Sequence, residues 1–315
     1  MREGQGIMHL RPLCGVVVTF HPDEGVYDRL LIVVRECGRV VVVDNGSSEE
    51  VYRRMAEIAG VTVLPLGENM GVATAMNRGL VWAREAGFSW VVTFDQDSRP
   101  QEGMVSALWS THEALASAAV VGPRIEDVGQ ASNAYRWVRP HPRWPGLFQR
   151  VPSAGHDLAE VTMLVTSGSL IEIATWARLG GFDESLFIDY VDTDYCLRVN
   201  RSGRRVAVAG AAVLDHRLGE RQSKAVLGHD FRPTHHSATR HYFIARNRIP
   251  IWRKHALAVP HWAAFDAAFA IYNGFRVLFF ERERGRKLKA IVLGTWDGLG
   301  GRSGPCPAKR TAQLS

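Results

Sequence analysis

The first part of the chain alternates between short apolar runs and stretches with helical periodicity. The apolar runs span residues 14–20, 39–44, 61–66, 90–95 and 118–122. They are almost continuously apolar and rich in β-branched residues, as is typical of strands buried on both faces of a parallel sheet. Residues 49–59 and 74–86 between them have an amphipathic helical pattern. This alternation predicts a doubly wound α/β sheet covered by helices on both faces.

The pattern changes further along the chain. Between about residues 129 and 159 the periodicity is lost and prolines lie among large aromatic residues, which predicts a long irregular loop. Apolar runs at 161–166, 205–209 and 211–214 then predict further strands.

The last sixty residues have a different pattern. Pro260 can open a helix at its first turn, and aromatic residues follow it at helical spacing, with basic residues over 282–289. A helix of this kind can lie in a membrane interface or pack on protein, and the sequence leaves both readings open.

Composition and charge narrow the classes of function. The chain has 315 residues, 46% of them hydrophobic, which suits one large or two small domains. Its net charge is +6, and the charges are unevenly distributed. From Arg217 onwards there are 18 Lys/Arg and 6 Asp/Glu, whereas residues 1–216 contain 20 Lys/Arg and 26 Asp/Glu. The acidic front suits a metal site, and the basic rear suits phosphates or anionic lipid, or is an ordinary solvated surface. No nucleic-acid module accompanies the basic residues, so nucleic-acid binding is not expected.

The cysteines and the N-terminal segment bear on the compartment. The four cysteines contain no C-x-x-C pair, so neither a zinc cage nor a disulfide framework is expected. The N-terminal segment lacks the apolar core of a signal peptide, and no uncharged apolar run reaches about 20 residues. We therefore expect a cytoplasmic protein.

Polar residues follow the predicted strands, where ligands bind in open α/β sheets. The first strand leads into Thr19 and Phe20, the second into Asp44, and the third into Asn69 and Gly71. Asp44 could accept from a nucleotide base or ribose, or it could cap the following helix. Gly71 permits close backbone approach at a helix start, where anions bind. No G-x-G-x-x-G follows the first strand, which disfavours a dehydrogenase.

Asp95, Gln96 and Asp97 follow the fourth predicted strand. Residues two apart in extended chain point to the same side, so the carboxylates of Asp95 and Asp97 would converge and repel each other. A hard divalent cation such as Mg²⁺ or Mn²⁺ removes that repulsion and can bridge the phosphates of a nucleotide diphosphate. We predict a metal site at this strand end.

A second acidic cluster precedes a helix predicted over residues 195–200. It contains Asp189, Asp192 and Asp194. Asp192 would lie at the helix N-terminus, where the macrodipole favours the ionised form that a general base needs. It could equally serve as a plain N-cap.

Taken in order, these motifs resemble those of a known family. VVVVDNGS, NMGVATAMNRG, FDQDS, TSGS, GGFDESLFIDYVDTDYCLR and VLDHRLG are similar to the motifs of family 2 glycosyltransferases, which have the GT-A fold. The resemblance covers about residues 15–248. FDQDS, FIDYVDTDYCLR and RHYFIARN are most similar to bacterial rhamnosyltransferases of O-antigen or other cell-surface polysaccharide synthesis. It implies a GT-A catalytic domain over 10–255, with a nucleotide-sugar half to about 125 and an acceptor half from about 126, and a helical, basic region over 256–315.

The resemblance also implies roles by position. Nucleotide-sugar binding falls to Thr19, Phe20, Asp44, Asn69, Gly71, Asn77, Asp95 and Gln96. The metal ligands would be Asp97, Asp95 and His216, although a lone histidine is as often structural. Contacts to the acceptor or diphosphate fall to Ser167, Gly168, Arg240, Arg246 and Asn247. Asp192 takes the place of the catalytic base. The family often has Glu before that aspartate, whereas Val191 stands here, so Asp189 and Asp194 remain alternative bases.

The implied reaction transfers a sugar with inversion. L-rhamnose would move from dTDP-L-rhamnose to a saccharide or lipid-linked saccharide, with Mg²⁺ or Mn²⁺ as cofactor. Asp192 would deprotonate an acceptor hydroxyl, which attacks the anomeric carbon on the face opposite the diphosphate. The alternatives are another nucleotide sugar (UDP-glucose, UDP-galactose or UDP-N-acetylglucosamine) and a non-catalytic scaffold that binds sugar or nucleotide. Peripheral contact with the inner face of the cytoplasmic membrane and homo-oligomerisation are left open.

Overall fold

The computed structural model describes residues 12–127, 135–153, 155–216, 224–226, 229–231 and 236–314. The chain divides into two compact units. The first comprises Met1–Trp137, Arg150–Glu184 and Val191–Arg217, and the second comprises Val138–Gln149, Ser185–Tyr190 and Leu218–Ser315.

Strands and helices alternate at the start of the first unit. They are β1 (Leu13–Thr19), α1 (Val26–Cys37), β2 (Val40–Asp44), α2 (Glu49–Ala56), β3 (Val61–Pro65), α3 (Val72–Glu85) and β4 (Trp90–Asp95). The four predicted strands and both predicted helices of this region are confirmed, with their ends displaced by three residues or fewer. The chain continues through β5 (Arg99–Pro100), α4 (Met104–Ala114) and β6 (Ala118–Asp127).

The middle of the chain departs from the sequence-based prediction. Its elements are β7 (Arg136–Pro140), β8 (Phe148–Pro152), β9 (Leu170–Glu172), α5 (Ile173–Arg178), α6 (Val191–Arg201) and β10 (Arg205–His216). Strands β7 and β8 pair with each other inside the segment predicted as an irregular loop. The strand predicted over 161–166 is wrong, because this segment is irregular. Its apolar residues Val161 and Leu164 are buried, so the apolar run reflects burial rather than extended pairing.

Strand β10 joins the two runs predicted over 205–209 and 211–214. Its register against β6 shifts between Ala209 and Val213. Within this irregularity the backbone N–H of Gly210 donates to Asp157 at 2.8 Å. The shift explains why one strand reads as two in the sequence.

Eight strands form one sheet in the order β3-β2-β1-β4-β9-β6-β10-β5. The pairs β3-β2, β2-β1, β1-β4 and β6-β10 are parallel. Strand β9 lies antiparallel between β4 and β6, and β5 is antiparallel to β10. The other six strands of this sheet run in the same direction, so the prediction of a mostly parallel sheet is confirmed.

Helices cover both faces of the sheet, as predicted. A Cβ added at Gly15 of β1 would meet Val33 of α1 at 3.1 Å, whereas one added at Gly79 of α3 would meet the neighbouring Val16 at 2.4 Å. Adjacent residues of a strand point to opposite faces, so α1 and α3 pack on opposite faces of β1. The α/β class with helices on both faces is therefore confirmed.

The parallel strands bring their carboxyl ends to one edge. Thr19 is level with Asp44 across the β1–β2 pair, and Val18 is level with Asp95 across the β1–β4 pair. The polar residues that follow these three strands therefore start from neighbouring points of the sheet.

The second unit is largely helical. It contains β11 (Lys224–Val226), β12 (His229–Phe231), α7 (Ala238–His255), α8 (Pro260–Phe280), α9 (Arg284–Leu299) and α10 (Ala308–Leu314). A Cβ at Gly294 or Gly298 of α9 would lie 2.3 or 2.4 Å from a backbone carbonyl of α7, so these glycines let the two helices approach closely. The helix predicted to open at Pro260 is confirmed. Helix α7 groups with the later helices, whereas the predicted domain boundary follows residue 255.

Candidate functional site

Thr19 and Asp44 form a buried pair at the ends of β1 and β2. The Thr19 hydroxyl donates to Oδ1 of Asp44 at 2.9 Å. Oδ2 of Asp44 accepts from the backbone N–H groups of Gly46 and Ser47 at 3.2 and 2.8 Å. Asp44 therefore shapes the loop after β2. The N-cap of helix α2 is Ser48, at the end of the segment 44–48 that offered cap residues, and Asp44 itself is not the cap.

Two asparagine side chains join the loops after β2 and β3. Nδ2 of Asn45 donates to Oδ1 of Asn69 at 3.0 Å, and Oδ1 of Asn45 accepts from the Met70 N–H at 2.8 Å. Oδ1 of Asn69 also accepts from the Gly71 N–H at 3.0 Å. Gly71 caps α3 with φ +88°, a conformation that favours glycine. The predicted position of Gly71 at the start of a helix is thus confirmed, and its role in nucleotide-sugar binding stays a prediction.

The loop after β4 is fastened to the loop after β1 through Gln96. The N–H of Phe20 donates to Oε1 of Gln96 at 2.7 Å, and Nε of Arg29 donates to the backbone carbonyl of Gln96 at 2.7 Å. The Phe20 side chain stays 42% exposed. An exposed aromatic ring held beside this loop has the chemistry to stack on a nucleotide base.

Asp95 and Asp97 lie on either side of Gln96 at the end of β4, and both are exposed. Ser98, the next residue, is buried and its hydroxyl contacts that of Ser167. The Asp95 N–H donates to the same Ser167 hydroxyl at 3.2 Å. The loop is thus anchored on both sides of the two exposed carboxylates.

Ser167 and Gly168 contact the end of β4 and the loop that follows it. Gly168 has φ +76°, and a Cβ there would lie 2.7 Å from Pro123. Its N–H donates to the carbonyl of Thr93 in β4 at 2.6 Å. These contacts hold the end of β4. The roles predicted for Ser167 and Gly168 toward acceptor or diphosphate remain predictions.

Both the oxygen and the nitrogen of the Asn77 side-chain amide form hydrogen bonds with other groups of the protein. Its Oδ1 accepts from the Trp176 indole and the Phe182 N–H at 3.1 and 2.9 Å. Its Nδ2 donates to the Phe182 carbonyl and to Glu184 at 2.9 and 2.8 Å. These contacts favour a structural role, in which Asn77 ties α3 to the turn before residue 184, over the predicted nucleotide contact.

Asp192 and Asp194 both lie in the first turn of α6, in different surroundings. Asp192 is half-buried, and its Oδ1 accepts from the Thr193 N–H at 2.7 Å. Asp194 is 0% exposed and pairs with Nε of Arg198 at 2.7 Å. Arg198 also donates to the carbonyls of Leu179 and Gly181. The surroundings of Asp194 therefore favour a structural ion pair over a base, and Asp192 is the more accessible carboxylate of the two.

Tyr135 is electrostatically linked to Asp192. Loss of contact between its hydroxyl and water raises the pKa of Tyr135, and the negative charge of Asp192 raises this pKa further. The positive charge of Arg150 lowers it. The phenol consequently stays protonated near neutral pH and can act as a hydrogen-bond donor.

Comparison with known proteins identifies the family to which this region is similar. Residues 38–171 match the family model described as glycosyl transferase family 2. This range includes β2, β3, β4 and the loops that carry Asn69, Asp97 and Ser167. The chain carries a family 2 glycosyltransferase domain. The expectation that the protein is a glycosyltransferase is confirmed.

Two relatives of this glycosyltransferase are similar along most of its length. It is 28% identical to the dTDP-rhamnosyl transferase RfbF of Shigella flexneri, over 92% of this chain and 96% of the relative. It is 26% identical to an N-acetylglucosaminyl-diphospho-decaprenol L-rhamnosyltransferase of Mycobacterium tuberculosis, over 88% and 96%. Among solved structures it resembles the crystal structure of GalNAc-T7 with UDP, GalNAc and Mn²⁺, with a TM-score of 0.55 at 13% identity. That alignment covers 75% of this chain and 50% of the other, and it supports the predicted GT-A fold.

His216, a predicted metal ligand of the glycosyltransferase, lies at the limit of the described residues. His216 ends β10 level with Asp127, and the structure does not describe its side chain. Residues 217–219 of the same motif lie outside the described residues, as do residues 129–134 and 154 of the predicted loop.

Arg240, Arg246 and Asn247 belong to α7 in the second unit. Buried Arg246 donates to the carbonyls of Gly304 and Leu186 at 2.6 and 3.0 Å, and Asn247 donates to those of Leu186, Ile188 and Asp189. These contacts favour structural roles for both over the predicted contact with acceptor or diphosphate.

Arg240 is more exposed and pairs with Asp189 at 3.2 Å. Burial raises the pKa of Asp189, and Arg240 opposes that rise. The carboxyl group therefore has a cationic partner already. This pairing favours a structural role for Asp189 over that of an alternative base.

Sequence reasoning missed three residues that organise the site. Asn45 links two loops, Arg29 holds the carbonyl of Gln96, and Glu184 accepts from Asn77 and Thr74. Only Asn45 had a usable signal, since it follows Asp44 directly. Arg29 and Glu184 lie 67 and 107 residues from their partners Gln96 and Asn77, and no local pattern predicts such pairs.

Proposed function

We propose that the protein is an inverting rhamnosyltransferase that moves L-rhamnose from dTDP-L-rhamnose to a saccharide or lipid-linked saccharide. The observation that carries the transfer chemistry is the pair of exposed carboxylates, Asp95 and Asp97, in the anchored loop after β4. At the same edge of the sheet, Asp44 orders the loop after β2. The choice of rhamnose is supported by similarity to two rhamnosyltransferases along most of the chain.

The donor would lie over the loops after β1, β2 and β4. Phe20 offers an exposed ring for the base, and Gln96 holds the Phe20 backbone at the loop that carries the two carboxylates. Asp44 is buried, so we assign it the ordering of the loop around Gly46 and Ser47 and not direct contact with the base.

The residues present fit a divalent cation of the Mg²⁺ or Mn²⁺ type. Asp95 and Asp97 offer carboxylate oxygens, the ligand type that such cations prefer. Among the described residues no three acidic, histidine or cysteine side chains form a ready metal cage. Asp95 and Asp97 would hold the ion together with donor oxygens, and His216, whose side chain lies outside the described part of the chain, stays the predicted third ligand. The bound ion would neutralise negative charge on the leaving diphosphate. A structural neighbour that contains both UDP and Mn²⁺ supports this proposal.

Asp192 would activate the acceptor. It lies in the first turn of α6, where the helix dipole favours its ionised form. Its carboxylate would take the proton of an acceptor hydroxyl as that oxygen bonds to the anomeric carbon. The bond from the same carbon to the diphosphate oxygen breaks, dTDP leaves with the electron pair, and the configuration inverts.

A lipid-linked acceptor is consistent with the second relative, whose name specifies a diphospho-decaprenol acceptor. Acceptors of this class are held in a bilayer by their lipid. We therefore propose that the enzyme works at the inner face of the cytoplasmic membrane, in the synthesis of a cell-surface polysaccharide.

The test combines a donor panel with one variant. dTDP-rhamnose, UDP-glucose, UDP-galactose and UDP-N-acetylglucosamine are compared by calorimetry and by nucleotide release, with Mg²⁺ or Mn²⁺. We expect binding and release with dTDP-rhamnose, and loss of activity by about a hundredfold or more in Asp97→Asn. Asp28→Asn, an exposed carboxylate change on α1, is the matched control.

Each outcome has a definite meaning. Preference for a UDP-sugar would replace rhamnose with another hexose and leave the metal assignment intact. Full activity of Asp97→Asn would reject the metal assignment. Binding of donors without turnover on any acceptor would indicate a non-catalytic scaffold.

A further inference from the structure

Helix α8 has its polar residues turned inward and its apolar residues turned outward. Its buried residues are Trp262, Asp266, Asn273, Arg276 and Val277. At 3.6 residues per turn these positions fall within about a third of the helix circumference. Asp266 and Arg276 are the only charged residues of the helix, so both of its charges face the interior of the second unit.

The inward face is held by specific polar contacts. Asp266 accepts from the Tyr190 hydroxyl and the Trp252 indole, both at 2.6 Å, and from Nε of Arg248 at 2.9 Å. Arg276 donates to Asn273 at 2.6 Å and pairs with buried Glu281 at 3.1 Å. A buried charge with this many partners is costly to withdraw, so the orientation of α8 is determined by its inward face.

The opposite side of α8 is an exposed apolar stripe, which we call the outer face. It consists of Ile271, Tyr272, Phe275, Leu278 and Phe279, and Ile271 is 74% exposed. A surface helix of a water-soluble protein normally has the reverse arrangement. A contiguous exposed apolar patch of this kind marks an interaction site.

Basic residues follow the outer face directly. Arg282, Arg284, Arg286 and Lys289 are exposed, and Glu283 is the only exposed acidic residue among them. An aromatic, apolar helix face with exposed arginines beside it has the composition of helices that lie in the headgroup region of anionic membranes.

We propose that the outer face of α8, together with Arg282, Arg284 and the neighbouring basic residues, binds the surface of an anionic lipid bilayer. The apolar side chains enter the boundary between headgroups and acyl chains, and the arginines contact lipid phosphates. The binding itself does not depend on which sugar the enzyme transfers. It would hold the enzyme where a lipid-linked acceptor is found.

The helix lies on the bilayer and does not cross it. By length and composition α8 could span a membrane. Spanning would take Asp266 and Arg276 away from their partners and into hydrocarbon, at high cost. A second copy of the chain is a weaker occupant than lipid, because the cluster of arginines favours an anionic partner and a second copy has a net charge of +6.

The experiment is flotation of the full chain with vesicles of phosphatidylcholine alone or with about a third phosphatidylglycerol. We expect flotation with the anionic vesicles, weakened by salt because screening reduces the contribution of the arginines. Ile271→Asp/Phe275→Asp should weaken binding at least tenfold, since each large apolar side chain contributes about a factor of ten. Arg282→Glu should weaken it about fivefold or more.

Matched controls lie on α1 of the first unit. Leu31 is 44% exposed, and Leu31→Asp should leave flotation unchanged. Arg35 is also exposed, and Arg35→Glu changes the net charge as much as Arg282→Glu does. Hydrogen exchange of the unaltered chain provides a measurement that needs no variant, because anionic vesicles should slow exchange in α8 more than in α1.

Three results would overturn the proposal. One is absence of flotation with anionic vesicles. Another is equal flotation of Ile271→Asp/Phe275→Asp and the unaltered chain. The third is a dimer in sedimentation that this double variant converts to a monomer, with vesicle binding absent in both, which would assign the outer face to a second copy.

Discussion

The backbone N–H of Phe20 donates to the side-chain oxygen of Gln96 at 2.7 Å, across 76 positions of sequence. This bond joins the backbone of Phe20, whose side chain is exposed, to the residue between two exposed carboxylates. Gln96, the middle residue of the Asp-Gln-Asp motif, therefore helps to hold Phe20 close to the two aspartates. In the proposed donor site it would keep the base-binding side and the phosphate-binding side in their relative positions.

Gln96→Ala removes the acceptor for the Phe20 N–H. We expect donor affinity to fall about tenfold, since a lost hydrogen bond of this kind costs about 1.4 kcal/mol. The measurement is calorimetric titration with the nucleotide sugar. Gln101→Ala is the control, because Gln101 is exposed and its amide donates to Asp215 instead. Equal affinities of the two variants would contradict a positioning role for Gln96.

Asp192→Asn should separate chemistry from binding. Loss of a general base lowers kcat by about 10²- to 10⁴-fold, while donor affinity stays near that of the unaltered enzyme. Single-turnover kinetics and donor titration measure the two effects. An unchanged kcat in Asp192→Asn would show that another group acts as the general base.

Asp194→Asn should behave differently, although Asp194 also lies in the first turn of α6. It breaks the buried pair with Arg198. We expect a loss of about 3 kcal/mol in the free energy of unfolding, measured in urea. The folded fraction should retain its activity, and a loss of kcat comparable to that of Asp192→Asn would contradict the structural assignment.

Asn77→Ala tests a residue to which the resemblance assigns nucleotide contact. Four hydrogen bonds to Trp176, Phe182 and Glu184 would be lost. We expect the free energy of unfolding to fall by about 2–3 kcal/mol, with little change in donor affinity. Arg78→Ala, an exposed change on the same helix, is the control. A large loss of donor affinity at unchanged stability would restore the nucleotide role.

The second unit should lose stability in mild acid. Burial lowers the pKa of His236 to about 4 and also lowers that of His241. The unfolded chain takes up protons at these residues near pH 6.5, whereas the folded chain does not. The stability present above pH 6.5 is therefore lost as the pH falls toward 4.

His236→Gln should flatten this pH dependence of the free energy of unfolding, measured in urea between pH 7 and 5. Leu257→Gln, at a fully exposed residue of the same unit with no titratable group, should leave the slope unchanged. An unaltered slope in His236→Gln would contradict the assignment to His236.

The sequence was sufficient for features that depend on local pattern. Near-continuous apolar runs predicted β1 to β4, and an aspartate pair two residues apart after β4 predicted where two carboxylates emerge. Gly71 was predicted to lie at the start of a helix, and it is the N-cap of α3. These predictions held because strand burial and helix capping are determined by neighbouring residues.

Features that depend on distant partners were decided only by the tertiary structure. The apolar run over 161–166 is buried without forming a strand, Asn77 and Arg246 contact protein groups, and α8 turns Asp266 inward. Periodicity shows that a helix has an apolar side, but not which side the rest of the protein covers. Tyr190 and Trp252, which are distant from Asp266 in sequence, hold the charged side of α8 inward and leave its apolar side exposed. The reason is that a buried carboxylate requires hydrogen-bond donors, whereas an apolar side chain does not.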